Sequence, residues 1–90
     1  MSNPLIENII IDIKTSKYQE AMSMISDLFR SDSNNALPHL FLGIICELQY
    51  DKAEAMRHYR AALALDGTNK AVIYNLYRLG DGSRDPIRFE

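Results

Sequence analysis

Cysteine is nearly missing: Cys46 is the only one among 90 residues, so no disulfide can form within the chain. A lone thiol fits a reducing compartment, and a cytoplasmic location is the expectation. No cluster of Lys and Arg is present, and the formal net charge is -2 with a pI of about 5.6. A surface of that kind offers nothing to a phosphate backbone, so nucleic acid is not expected as a partner. Long apolar runs are missing as well. Ile9-Ile10-Ile11 is broken by Asp12 and Lys14, too short for a signal or a membrane span, and the stretch from Met1 to Glu7 has no basic region ahead of an apolar core. The glycines form no phosphate loop, and no segment alternates with a period of two, so strands are not expected.

What is present suits a helical domain. Hydrophobic residues make up 47% of the chain and charged ones 24%, which favours a folded core over disorder. Five helices are predicted. The first covers residues 4–14, with Asn3 as its cap and Pro4 at the first helical position. Ser16 is placed to cap a second over residues 17–30, and the small polar run from Ser31 to Asn35 is a loop. A third covers residues 36–49, with Pro38 in its first turn. A fourth runs from the Asp51 cap to Leu65, and a fifth covers residues 69–79 before Gly80-Asp81-Gly82. Residues 1–80 make one domain, followed by a C-terminal tail at residues 81–90 whose order is left open.

Residues 36–69 read as one helix–turn–helix unit. Leu42-Gly43 lies in its first helix, and Ala55, Tyr59, Ala62 and Leu65 recur at helical spacing in its second. Small residues with a bulky one a turn away let antiparallel helices approach closely. This order and length resemble the tetratricopeptide repeat, whose period is about 34 residues. Sliding the chain by 34 places Ala21 on Ala55, Ile25 on Tyr59 and Leu28 on Ala62. For the first and third helices a shift of 33 matches better, setting Ile9 on Leu42 and Ile13 on Cys46 and making the first turn one residue shorter. The resemblance implies an all-α short solenoid: two stacked antiparallel hairpins and a closing helix, whose polar residues Lys70, Asn75 and Arg78 face water.

The third helix is apolar nearly all round, with only His39, Glu47 and Gln49 clearly polar, so it should be buried on more than one side. By the resemblance, Leu42, Gly43 and Cys46 face the internal packing. Leu37, Leu40, Phe41, Ile44 and Leu48 then line a concave groove with Glu7, Ile11 and Tyr74. The family is one of protein-binding modules, which implies a non-catalytic interaction function with a partner helix or peptide in that groove. Chaperone-binding members hold a C-terminal carboxylate, but the matching positions here are Glu7, Ile11, Phe41, Ala71 and Asn75. No cation is among them, so a carboxylate clamp is not expected. A second copy of the chain is the alternative occupant, giving a homodimer. A third possibility is that the tail or the closing helix folds into the groove; the tail, with Ile87 and Phe89 as its only large apolar residues, would cover only a small part of it.

Residues that carry chemistry are sparse. His39, His58 and Cys46 lack the paired spacing of a zinc site. Glu7 with Asp12, and Glu47 with Asp51, sit near helix ends, where carboxylates cap or solvate. Arg57, His58 and Arg60 form the one local basic patch, read as the solvated side of the fourth helix. No enzyme activity, cofactor or membrane association is expected.

Overall fold

The computed structural model describes residues 3–90; Met1 and Ser2, part of the N-terminal stretch considered above for a signal, lie outside them. Five helices follow one another: α1 (Pro4–Lys14), α2 (Tyr18–Ser31), α3 (Leu37–Leu48), α4 (Lys52–Leu65) and α5 (Lys70–Gly80). No strand occurs among the described residues. Each helix packs on its neighbours in sequence, and α1 also touches α3.

Local chemistry accounts for the helix starts. Asn3 accepts from the Leu5 amide at 2.9 Å, Asp51 from Glu54 at 3.1 Å and Asn69 from Val72 at 3.0 Å. Each satisfies an amide that has no partner inside its helix. One start differs from expectation. Lys17, not Ser16, is the N-cap residue of α2 and makes no side-chain cap bond, because Ser16 has turned to φ 62°. Before α3, Asn35 takes the amide of Leu37 at 2.9 Å.

The left-handed residue at Ser16 belongs to a recurring helix end. The Lys17 amide donates to the Asp12 carbonyl at 2.7 Å, and the Asp51 amide donates to Cys46 at 2.8 Å. Tyr50, with φ 63°, takes the place of Ser16 in the second turn. A six-to-one bond around a left-handed residue satisfies carbonyls that the helix leaves unpaired. Every partner in the second turn lies 34 residues after its counterpart, so the two turns are equal in length. The shift of 33 expected for α1 and α3 is thereby corrected. At 34, Ile9 meets Gly43 and both are buried. The apolar run in α1 matches several registers about equally, and hydrogen bonding decides among them.

α3 is the hub. Leu40, Phe41 and Ile44 are completely enclosed, and Gly43 admits α4 at close range. A Cβ on Gly43 would stand 2.6 Å from Cε1 of Tyr59, itself fully buried. The Tyr59 hydroxyl donates to Glu47 Oε1 at 2.8 Å, and Arg78 of α5 pairs with that same oxygen. Burial, with the Glu47 charge and hydrogen bond added, raises the Tyr59 pKa well above its ordinary value. For Arg78, burial pulls downward but the Glu47 bond and charge outweigh it, and the guanidinium ends above its usual value. The expectation that Asn75 and Arg78 face water therefore does not hold; both are buried. They share a helical stripe with Ala71, three and four residues apart, and that stripe faces the core. Only Lys70 of the three is exposed.

A small aromatic stack joins α2, α3 and α4. Phe29 meets His39 edge-on with centroids 5.8 Å apart, and His39 stacks on His58 at 5.6 Å with their Nδ1 atoms 3.4 Å apart. Arg57 and Arg60 are exposed, whereas His58 is half-buried. Burial, then the nearby His39, lowers the His58 pKa below its usual 6.5, against an opposing influence from Glu54.

Two outcomes follow from this packing. Gly43→Ala should cost about 1–3 kcal/mol, because the enclosed Tyr59 ring has nowhere to retreat. A calorimetric scan should show the melting temperature fall by about 4–8 °C per kcal/mol; an unchanged melting point would contradict the close approach. The second outcome concerns pH. An imidazole with a lowered folded pKa binds its proton more readily in the unfolded chain, so stability falls as pH drops below about 6.5 and is unaffected by this group above it. Urea midpoints measured between about pH 7.5 and about pH 5.5 should decline, and His58→Gln should flatten that decline.

Candidate functional site

The segment after α5 decides what happens to the apolar side of α3. Asp81 closes α5, and the chain turns through Gly82 at φ 69° while the Ser83 amide donates to the Arg78 carbonyl at 3.0 Å. This is the same six-to-one turn that ends α1 and α3. After those helices it leads into another helix; after α5 it leads into a non-helical strip.

That strip runs across to α1. The Tyr74 hydroxyl donates to the Pro86 carbonyl at 3.0 Å. One residue on, the Asn75 side chain engages both backbone groups of Arg88: its Nδ2 donates to the carbonyl at 2.7 Å, and its Oδ1 accepts from the amide at 3.0 Å. Ile87 and Phe89, on either side of Arg88, are half-buried against the core, while Arg88 itself is exposed. Alternation of this kind marks an extended backbone with one apolar edge. At the far side the Lys14 ammonium lies 5.1 Å from the centre of the Phe89 ring. The Arg88 guanidinium stands 5.9 Å from the Tyr74 ring.

A cleft of about 320 Å³ opens beside the end of the strip, lined by Ile13, Tyr18, Leu48, Ile87 and Phe89, with Lys14 and Ser16 also at its edge. Most of that lining is apolar, and Lys14 is its one cation.

The residues expected to line the groove are divided by the structure. Leu40, Phe41 and Ile44 are wholly enclosed and present no surface. Leu37 is half-buried, and Glu7 and Ile11 stand exposed on α1. Leu48 reaches the cleft, and Tyr74 touches the strip directly. α1 meets the strip through Ile13 and Lys14 instead of Glu7 and Ile11. Asn75 matters most and stands outside the expected lining set. A buried asparagine on the small-residue stripe of Ala71 is the signal that could have found it. Ile87 and Phe89 are legible as the only large apolar residues after α5.

Other chemistry is thin. Burial, with Asp51 and Glu54 adding to it, pushes the Cys46 thiol up, which keeps it protonated and poorly nucleophilic. Among the described residues no three His, Cys, Asp or Glu side chains gather as a metal set. No helix among them is long and apolar enough to cross a membrane.

Asn75→Ala removes both bonds to Arg88 and should release the strip. The Arg88 amide, protected in the wild type, should then exchange with solvent at close to the free-peptide rate, with a stability loss of about 1–3 kcal/mol. Continued protection of that amide would show that Asn75 is not its anchor.

No family model matches this chain, and neither does any curated protein or solved structure.

Proposed function

We propose that this chain is a non-catalytic protein-interaction module: a short α-solenoid of two tetratricopeptide-like hairpins and a closing helix. The face between α1, α3 and α5 holds an extended peptide. The observation that carries this reading is the two-sided bond between the Asn75 side chain and the Arg88 backbone. A side-chain amide that pairs with a main-chain N–H and C=O reads the backbone of an extended segment, whatever its side chains are. The face already accommodates one such segment, so its geometry suits a peptide better than a helix. The equal turns 34 residues apart, and the matching buried sets Ala21, Ile25, Leu28 and Ala55, Tyr59, Ala62, support the repeat architecture. A homodimer formed to cover α3 is less supported, since Leu40, Phe41 and Ile44 are enclosed within one chain. The acidic balance favours a protein partner over nucleic acid, and the lone, half-buried cysteine suits the cytoplasm.

Panning the 90-residue chain against random heptapeptides tests this. Enriched peptides should shift the amide resonances of Lys14 and Asn75. No enrichment, or peptides that perturb only α2 and α4, would contradict the reading.

A further inference from the structure

We propose that the Nδ1 atoms of His39 and His58 are two ligands of a tetrahedral divalent metal site, with zinc as its ion and water in the two remaining positions. The two histidines are 19 residues apart in sequence and meet because α4 packs along α3. Their ring centres are 5.6 Å apart while their Nδ1 atoms are 3.4 Å apart, so the two nitrogens face each other. Phe29 abuts the His39 ring edge-on at 79°, which holds that ring in its plane. Ligating imidazoles need such outer support to stay oriented.

The span between the nitrogens selects the geometry. Two imidazole ligands at about 2.0–2.1 Å from a tetrahedral ion stand about 3.3–3.4 Å apart. At right angles, as around a square-planar or octahedral ion, the same bonds would bring them to about 2.8–3.0 Å. The observed 3.4 Å fits the first and not the second. It is long for a hydrogen bond, since N–H donors lie about 2.7–3.2 Å from oxygen acceptors. The pair is thus loosely joined without an ion.

Access and proton balance are also satisfied. Both histidines are half-buried, so each keeps an opening to solvent. No third His, Cys, Asp or Glu side chain gathers with them among the described residues, which leaves two positions to water. Arg57, next to His58 in the chain, is exposed and pairs with Glu54. In the metal-free pair one ring carries its proton on Nδ1. Metal binding uses both Nδ1 lone pairs, so that proton passes through solvent to Nε2 of the same ring, and the pair loses none.

Cobalt(II) and zinc titrations of the 90-residue chain test the proposal. Cobalt(II) should give the intense visible absorption of tetrahedral coordination, and zinc should displace it. His39→Gln and His58→Gln should each weaken zinc binding about a hundredfold or more, because the second ligand joins from within the molecule. Cys46→Ser should bind as the wild type does. The melting temperature should climb with zinc concentration in the wild type and in Cys46→Ser, and stay level in the two glutamine variants. Nitrogen-15 spectra of the wild-type imidazoles need no variant to fold: zinc should shift Nδ1 of both rings and leave both Nε2 atoms protonated. The weak absorption of six-coordinate cobalt, wild-type zinc affinity in either glutamine variant, or a shift confined to one ring would overturn the site. Loss of binding in Cys46→Ser would move the ion to the thiol and overturn it equally.

Discussion

A helix apolar on every side has to be covered on every side, and α3 imposes that requirement on the rest of the chain. Leu40, Phe41, Ile44 and Ile45 lie at or near complete burial, which a single antiparallel partner could not achieve. α4 covers one side, admitted by the missing side chain at Gly43. α2 and α1 cover others. The end of α3 remains, where Leu48 faces the cleft shared by α1 and the strip. The strip carrying Ile87 and Phe89 crosses there.

The polar lock at Glu47 connects this cover to the residue that anchors it. Tyr59 from α4 and Arg78 from α5 converge on one oxygen of an α3 carboxylate, tying three helices at a single point. Removing one member of a buried charged pair commonly costs about 3–5 kcal/mol, because the other is left uncompensated. The Nε of Arg78 is already without a partner, so this lock holds orientation as much as it adds stability. Asn75 lies one helical turn before Arg78. With Arg78 held toward Glu47, the α5 stripe is fixed, and the Asn75 amide is aimed at the Arg88 backbone.

Much of the architecture is legible in the residues. Helix ends are marked by Asn3, Asp51 and Asn69 and by the polar loop from Ser31 to Asn35, and the predicted spans agree with the observed ones to within a residue. The all-round apolar character of α3 announces a central helix. Less is legible where two physical causes share one composition. Leu40, Phe41 and Ile44 look alike whether they line an open groove or an enclosed core, since only the cover distinguishes them. Asn75 and Arg78 read as solvent-facing by polarity, whereas their spacing from Ala71 places them inward. A strip of a few residues is too short to show a period, so Ile87 and Phe89 announce apolar contact without revealing where. Register in α1 is hidden because neighbouring isoleucines match α3 at more than one shift.

The central claim is that the open side of α3 is covered from within by an extended segment held between α5 and α1. Nuclear Overhauser contacts between the Phe89 ring and the Lys14 side-chain methylenes test it most directly, measured on a dilute mixture of differently labelled chains. The account predicts that these contacts are present and arise within one molecule. Their absence, or their appearance only between differently labelled copies, would contradict it.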